Sequence, residues 1–485
     1  MTYLSTRLSL LLVLGGSLLA CGDNKEGVGN DAGGDGSPQN PYPKHKCGDA
    51  DITSAHCVQV PSADSQALLE ATNSLAADTT IVLAAGTYMM TNEVSIQSTA
   101  KVHILGQGID TTVLDWKGTT AQVNGIVAAS SDGFLVQDFT VKNSIKDGIR
   151  VEASDGITYR KIKATWDNAL ESTNGAYGIY PVRSKHVLVE DSEAINAADA
   201  GLYVGQCQQV IVRNNNVHGN VAGLEIENTE FADVYGNDVH NNTGGLVVFD
   251  LPGNPIVGRD IRIHNNMVHD NNGLNFAAGG TVAAIPVGTG TFAMASRRVE
   301  IKDNAYSNNK TVDIAIVSGL IIESDMSKWT IDTTTVQGDI TGLGLLPSFM
   351  MNGTPVADAT KFSNFRSENI VISGNTHMGS GTSPDPFDPG HLGQLLTVRY
   401  NAIMKPVDSV LYDTIGETDL TTNVNHICAG GNTAGTFVDA NVAAAQADIN
   451  APYMRWDAPP FGPAAGQQFD CTTLDGGALV VWDGN

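Results

Sequence analysis

Acidic side chains recur at fixed distances behind a repeated glycine. Glu225 and Glu227 lie two and four residues after Gly223, and Asp250 lies five residues after Gly245. Residues two apart on a strand point to the same face. Paired carboxylates can act as general acid and base, raise each other's pKa or share a cation such as Ca²⁺. We therefore predict Glu225, Glu227 and Asp250 as catalytic residues and Ca²⁺ as a candidate cofactor, although the sequence identifies no metal-binding set.

Aromatic, basic and amide side chains occupy equivalent positions near the other glycines. Aromatic rings stack on sugar rings, and an arginine fork pairs with carboxylates. The pattern predicts a continuous polysaccharide-binding groove, suited to a lyase, an epimerase or a glycoside hydrolase, which needs two carboxylates at a set separation. The alternative is an ordinary solvated face, where such residues are also common. The candidate substrate-binding residues are Arg150, Tyr177, Tyr180, Arg183, Tyr203 and Gln206.

Three histidines form a second regular set. His218, His240 and His269 each follow a valine directly. A separation of one whole repeat is too wide for tight metal chelation without adjacent help. We therefore predict a ladder of stacked imidazoles on the surface.

The spacing of the glycines indicates the elements that must position these residues. Gly178, Gly201, Gly223 and Gly245 are 23, 22 and 22 residues apart, and each begins a short strand with alternating apolar residues. A second alternating strand and a short third strand follow in each period, and no helix does. Strands this short are stable only when they stack on similar neighbours.

Comparison with other repeat architectures narrows the fold class. The leucine-rich repeat signature is missing, and a left-handed hexapeptide helix has rungs of about 18 residues. The sequence therefore predicts an all-β protein, a single-stranded right-handed parallel β-helix over residues 78–377. An asparagine recurs just after the second strand, and stacked amides can hydrogen-bond between rungs. The predicted ladder consists of Asn215, Asn237, Asn266, Asn304 and Asn375.

The N-terminus is typical of an exported lipoprotein. Residues 1–20 have the features of a signal peptide, with an apolar stretch too short to span a bilayer. The next residue, Cys21, follows Leu-Leu-Ala, which resembles a bacterial lipobox, so we predict that Cys21 is lipidated. Residues 21–46 predict a flexible tether. Because Gly22 follows the cysteine, we expect the outer membrane or the cell surface, with membrane contact through the lipid only.

The regions at both ends of the repeats differ from them. Residues 47–77 contain a helix signal that begins at the capping residue Asp64 and predict an N-terminal cap. Residues 378–485 predict an irregular C-terminal region. Export permits disulfides. The predicted pairs are Cys47 with Cys57 and Cys428 with Cys471, which leaves Cys207 alone.

Charge and cysteine spacing exclude several functions. The chain has 27 Lys and Arg against 52 Asp and Glu, a formal net charge of −25, so the basic footprint of a nucleic-acid-binding protein is absent. No C-x-x-C pair occurs, which excludes a C-x-x-C-H haem site. We therefore expect no nucleic acid partner and no redox centre in this chain.

Some stretches resemble known proteins. The run from Ala85-Gly86-Thr87-Tyr88 to Gly106-Gln107-Gly108 resembles the first coils of pectate-lyase-like β-helix proteins. Three others, from Asn174 to Val182, from Asp199 to Gln206 and from Asn242 to Gly253, resemble a family of exported bacterial parallel β-helix repeat lipoproteins. That resemblance implies the β-helix fold and no assigned activity. Its members are often encoded beside a c-type cytochrome, which implies such a partner.

Together these features predict a monomeric, lipid-anchored protein of the cell envelope that binds a polysaccharide. Whether it also cleaves or modifies the polysaccharide is left open by the sequence. The alternative is a non-enzymatic surface scaffold or a periplasmic partner of a c-type cytochrome. Convergence of acidic and basic groups with shifted pKa values would favour an enzyme.

The lipid anchor can be tested with one substitution. Cys21→Ser removes the thiol that would carry the lipid. In a phase-partitioning assay the variant should therefore remain in the aqueous phase, whereas the wild type should enter the detergent phase. If the variant partitions like the wild type, the anchor lies elsewhere.

Overall fold

The strands of the chain form three parallel stacks, and the chain visits each stack once per turn. The computed structural model describes residues 40–332 without 255, 350–351, 354–355, 361–385, 394, 397–398, 409–416, 423–448, 450–461 and 469–484. The predicted signal peptide, Cys21 and most of the predicted tether lie outside these residues. This winding makes the fold the right-handed parallel β-helix that the repeats predict.

The first stack contains the strands that begin near the repeated glycines. It is a 12-stranded sheet, parallel except for its last strand, which is antiparallel to its neighbour. Its strands are Val94–Gln97, Ile126–Ala129, Ile149–Glu152, Tyr177–Val182, Ala200–Gly205, Ala222–Glu227, Gly244–Phe249, Thr289–Met294, Val312–Val317, Val410–Tyr412, Phe437–Asp439 and Met454–Trp456.

The second and third stacks share one 20-stranded sheet. Two long strands, Leu135–Lys142 and Asp155–Thr165, contribute to both stacks. The second stack also contains His56–Val60, Thr79–Leu83, Val102–Leu105, Lys185–Glu190, Gln208–Arg213, Glu230–Tyr235, Arg259–His264, Arg297–Lys302, Glu368–Ser373 and Ile427–Gly431. The third also contains Gly86–Met89, Thr112–Asp115, Glu193–Ile195, Asn216–His218, Asp238–His240, Met267–His269, Ala305–Ser307 and Thr376–Met378.

Few other elements interrupt the stacks. Helix α1, Ser65–Asn73, begins where the Asp64 carboxylate accepts a hydrogen bond from the N–H of Ala67 at 2.9 Å, and it packs against the first strand of the first stack. In this position it covers the open edge of that stack. The other elements with described bounds are helix α2, Val442–Ala447, and 3₁₀ turns at Thr281–Ala284, Gly319–Ile321 and Met326–Trp329. Two antiparallel strand pairs are also described, Thr330–Asp332 with Lys361–Ser363 and Met350–Met351 with Thr354–Pro355.

The stacks extend beyond the predicted bounds of 78 and 377. His56–Val60 already pairs with Thr79–Leu83, so a strand of the second stack lies within the region predicted as a cap. At the other end, Val410–Tyr412 and Phe437–Asp439 continue the first stack. Their short strands and long connections hide the repeat period, which explains why the sequence predicts an irregular region there.

Alternation along each strand of the first stack separates an inner core from an outer layer. Ile226 pairs with Val248 on the next rung, and both are buried in the inner core. Their neighbours Val247 and Phe249 belong to a separate cluster on the outer side. The predicted register is therefore confirmed, because a shift of one residue would exchange the two sets.

Buried asparagine amides join successive rungs, as predicted. Asn215 donates to Asn237 at 2.9 Å, Asn237 to Asn266 at 2.9 Å, Asn266 to Asn304 at 2.9 Å, and Asn304 to Asn375 at 3.0 Å. A second ladder, absent from the sequence prediction, runs at the turn after the third stack. It consists of Asn220, Asn242, Asn271 and Asn309, joined at 3.0, 3.0 and 3.2 Å.

Both predicted disulfides are present, and the remaining described cysteine is free. Cys47 pairs with Cys57, and Cys428 pairs with Cys471. Cys207 is buried within the inner core. Among the described residues, the structure has no helix long and apolar enough to cross a membrane.

Removing one rung of the amide ladder tests its contribution to stability. Asn237→Ala leaves the buried N–H groups of Asn215 without their acceptor, so the free energy of unfolding should fall by about 2–4 kcal/mol. Asn216→Ala is the control, because this half-buried residue makes only long or peripheral contacts and should cost under about 1 kcal/mol. Equal losses in urea unfolding would contradict a special role for the ladder.

Candidate functional site on the outer face of the first stack

The register of the first stack brings most of the predicted site residues onto one outer face. Arg150 pairs with Tyr180, and Tyr203 pairs with Glu225. Glu227, two residues further along its strand, pairs with Gly205. Side chains from four successive rungs therefore meet because their offsets from the repeated glycines are equal.

Three tyrosines form a contiguous aromatic cluster on this face. The ring centroids of Tyr177 and Tyr203 are 4.5 Å apart, those of Tyr177 and Tyr180 are 4.6 Å apart, and those of Tyr180 and Tyr203 are 4.9 Å apart. Tyr177 and Tyr180 are half-buried, whereas Tyr203 is buried. The guanidinium of Arg150 lies over the Tyr180 ring at 5.3 Å. The cluster thus presents two partly exposed rings and a cation to solvent.

Carboxyl groups lie directly behind the tyrosines. The Tyr203 hydroxyl donates to Glu227 Oε2 at 2.5 Å, and the Tyr177 hydroxyl donates to Asp199. Gln206 and Asn254 donate to the other oxygen of Glu227, at 3.3 and 2.6 Å. This set of donors leaves Glu227 fully bonded in a site closed to water.

Glu225 differs from its neighbour because one of its two carboxyl oxygens has no donor. Its side chain is only 1% exposed, and its Oε1 atom has no hydrogen-bond partner. Burial raises the pKa of Glu225 well above its usual range, and the negative charges of Asp199 and Glu227 raise it further. A buried carboxyl oxygen without a donor disfavours the charged form, which is consistent with the raised pKa of Glu225.

Other acidic groups at the site have raised pKa values for the same reason. Burial raises the pKa of Asp199 to about 7, an effect that the Tyr177 hydroxyl opposes and that Glu227 and Asp147 strengthen. Burial also raises the pKa of Glu227, against the hydrogen bonds from Tyr203, Asn254 and Gln206. The site therefore contains one carboxyl group, Asp199, whose pKa of about 7 allows it to exchange a proton near neutral pH.

The continuous open groove that the sequence predicts is partly closed. Tyr203, Glu225 and Glu227 are at most 6% exposed. Two insertions cover them, one that brings Asn254 onto Glu227 and one that packs residues 276–285 against the outer cluster. Repeat spacing describes only the rungs, so it could not show which insertions fold back over them.

The predicted catalytic residue Asp250 has a separate environment. It is 2% exposed, accepts hydrogen bonds from the N–H of Gly258 at 3.0 and 2.9 Å, and accepts one from Asn364 at 3.3 Å. Burial raises its pKa to about 7, which the charge of Arg297 partly opposes. These contacts hold the Asp250 side chain against the turn that follows the strand.

The remaining predicted residues lie at the edge of the site. Arg183 is exposed and donates to Gln206 at 3.1 Å, which links it to the Glu227 network. Arg150 forms an ion pair with Glu152 on its own strand. Two groups that sequence reasoning left out of the site are Asp199 and Asn254. A signal existed for both: Asp199 lies two residues before Gly201, and Asn254 lies in the long turn at 251–259 that the sequence predicts to overhang this face.

A cation site is not formed by these carboxylates. Among the described residues, the only group of three or more histidine, cysteine or acidic side chains with ligand atoms all within 4.8 Å is His426, Cys428 and Cys471, and the two cysteines are joined in a disulfide. The predicted Ca²⁺ therefore has no ready set of ligands in this cluster.

The predicted histidine ladder is confirmed on the third stack. The rings of His218 and His240 are 4.8 Å apart and those of His240 and His269 are 5.0 Å apart, inclined by 11° and 8°. Carboxylates flank both ends: Glu193 lies 3.2 Å from His218, and Asp238 lies 2.9 Å from His269.

Comparison with known proteins agrees with this architecture. Residues 100–261 match the family described as "Right handed beta helix region". The chain is a right-handed parallel β-helix. No curated protein matches its sequence.

Solved structures with a similar course include enzymes that act on polysaccharides. The A-module of the Azotobacter vinelandii mannuronan C-5 epimerase AlgE4 is 14% identical, with a TM-score of 0.39 over 75% of this β-helix chain and 92% of the module. The pectate lyase Pel9A is 13% identical, with a TM-score of 0.39 over 68% and 71%. A Thermotoga maritima exopolygalacturonase is 12% identical, with a TM-score of 0.38 over 63% and 76%. Likeness at this level assigns no activity to the β-helix chain.

The pH dependence of stability tests the raised pKa of Asp250. Its pKa rises from about 4 in the unfolded chain to about 7 in the folded protein, so the folded state binds more protons between these values and stability falls as pH rises from 4 to 7. The fall should be roughly 4 kcal/mol. Asp250→Asn should remove it in urea unfolding at pH 4–8, whereas the exposed control Asp191→Asn should not. Identical pH slopes for all three proteins would contradict this.

Proposed function

We propose that the protein binds a polysaccharide at the tyrosine cluster and exchanges protons with it through the carboxyl groups behind the rings. The observation that carries the proposal concerns Tyr177. Its partly exposed ring packs beside the ring of Tyr180, and its hydroxyl donates to Asp199. Sugar rings stack on aromatic faces. A sugar bound on Tyr177 and Tyr180 would therefore lie next to a group whose pKa is about 7.

Within this proposal the acidic residues have different roles. Asp199 is the half-buried member and can reach a bound sugar, so it acts as the general acid or base. Glu225 and Glu227 are too buried to touch the sugar. Glu227 acts through Asp199, because its charge adds to the effect of burial in raising the pKa of Asp199. This reverses the order of importance that the sequence predicts, since burial removes the two glutamates from the surface.

The reaction classes consistent with this arrangement are those that need proton transfer at a sugar carbon or at a glycosidic oxygen. A lyase or an epimerase needs a base for the sugar C–H, and a hydrolase needs an acid for the leaving oxygen. Arg150 and Arg183 at the edge could bind an acidic sugar, with Arg183 more available because Arg150 is paired with Glu152. We further propose that the chain works at the outer membrane or cell surface, anchored through Cys21.

Two substitutions separate binding from chemistry. In calorimetry against a panel of envelope and plant polysaccharides, Tyr180→Ala should weaken binding about 10-fold, because one stacking ring is lost. Asp199→Asn should leave binding within about 3-fold and lower any turnover at least 100-fold. Tyr235→Ala, on the second stack, is the matched control for the loss of a tyrosine.

The scaffold alternative makes a different prediction for the same experiment. If no polysaccharide binds the wild type, or if Tyr180→Ala and Tyr235→Ala bind alike, the tyrosine cluster is not a binding site. The non-enzymatic role, as a surface scaffold or a partner of a c-type cytochrome, would then replace this proposal.

A further inference from the structure

A second site lies where the third stack ends among the described residues. A pocket of about 160 Å³ opens beside Thr376–Met378, the last described strand of that stack. Its walls include Asp313, His377, Ser380, Ser409 and Thr436. We call it the terminal pocket. It is distinct from the tyrosine cluster and shares no residue with it.

The repeat changes its residue types at this pocket. Val239, Val268, Tyr306 and His377 occupy one inward-facing column of the third stack, so a histidine replaces an apolar residue at the pocket. The adjacent asparagine ladder changes in the same turn, where Ser380 accepts from the N–H of Asn309 at 3.1 Å in place of a further asparagine.

The column of glycines in the first stack also changes here. Gly245 pairs with Gly290 in register, and the next two positions are occupied by Asp313 and Ser409. Glycine is required earlier because a side chain would strike the next rung: a Cβ on Gly290 would lie 2.5 Å from the carbonyl oxygen of Asp313. At the pocket that His377 lines, the carboxylate of Asp313 and the hydroxyl of Ser409 thus stand where the earlier rungs have only a glycine hydrogen.

Asp313 and His377 form an oriented pair. Asp313 Oδ2 lies 2.9 Å from Nδ1 of His377, and both side chains are buried, with exposed fractions of 0 and 7%. Asn309 donates to the other Asp313 oxygen at 3.0 Å, and the Tyr306 ring stacks on the imidazole at 5.5 Å. A carboxylate at Nδ1 holds the proton there and leaves the lone pair of Nε2 free to accept a proton.

Ser409 lines the same pocket as His377. The Ser409 Oγ and His377 Nε2 atoms lie 3.5 and 3.6 Å from the point where a Cβ on Gly435 would stand. The two atoms are therefore at most about 7 Å apart, so a group bound in the pocket can contact both. The N–H and hydroxyl of Thr436 both donate to Ser409 Oγ at 3.4 Å. The hydroxyl proton of Ser409 therefore points away from Thr436. Hydrogen bonds between nucleophile and base are often formed only once substrate binds.

We propose that the terminal pocket hydrolyses small acyl esters, with Ser409 as nucleophile, His377 as general base and Asp313 as the residue that positions His377. Ser409 Oγ attacks the ester carbonyl carbon while its proton moves to His377 Nε2. The proton then passes to the leaving alkoxide as the ester C–O bond breaks. Water, deprotonated by the same nitrogen, releases the carboxylic acid and restores the serine.

The size of the pocket limits the acyl group. A volume of about 160 Å³ is well below that of most pockets for drug-sized ligands, which hold several hundred Å³. The pocket therefore suits an acetyl or similarly short acyl group, with the alcohol part outside. The proposal does not depend on polysaccharide binding at the tyrosine cluster, so either can fail alone.

The test uses the full chain with p-nitrophenyl acetate as substrate and a fluorophosphonate probe. The wild type should hydrolyse the ester, and Ser409→Ala and His377→Asn should each lower kcat/KM at least 100-fold. Asp313→Asn should lower kcat with little effect on KM and should alter the pH profile of kcat. Matched controls are the exposed Ser172→Ala and the outward-facing His218→Asn, which should retain wild-type activity.

Labelling of the wild type makes the test independent of variant folding. Mass spectrometry should find the fluorophosphonate on Ser409. Absence of hydrolysis, a label on another serine, or equal activity of Ser409→Ala and Ser172→Ala would each overturn the proposal.

Discussion

Successive rungs are held in register by main-chain hydrogen bonds and by two columns of buried asparagine amides, and the position of every other side chain follows from this alignment. Because Asn237 donates to Asn266 and accepts from Asn215, each rung is fixed relative to its neighbours on both sides. The same register places Tyr203 on Glu225. A slip of one residue would turn the site inward and the core outward.

The outer face of the first stack changes character along the solenoid. In the column that contains Tyr203 and Glu225, the following rungs contribute Val247, Phe292 and Ala315, which pack in an apolar outer layer. Burying Glu225 with one carboxyl oxygen unbonded costs free energy, and the apolar residues on adjacent rungs show that the fold does not need a carboxyl group there. Stability alone therefore does not account for the acidic cluster.

Much of the fold could be predicted from the sequence, because it depends on repetition. Glycine spacing predicts the first stack, alternation predicts that Ile226 faces inward, and the recurring asparagines predict one amide ladder. The site could be predicted only in part. The insertion containing Asn254 has no repeat, and its packing decides that Glu227 is buried. The pairing of Asp313 with His377 joins residues 64 apart in sequence, a distance that local patterns do not span.

Burial raises the pKa values of the carboxyl groups behind the tyrosines, and within the proposed function Asp199 responds to a bound sugar. Titration of the ¹³C-labelled side-chain carboxyl carbons by NMR, with Glu225→Gln and Asp199→Asn for assignment, measures this directly. Asp199 should titrate near pH 7 and Glu225 above its usual range, and a bound oligosaccharide should shift the Asp199 resonance. Titration of both groups near pH 4, unchanged by any oligosaccharide, would contradict these expectations.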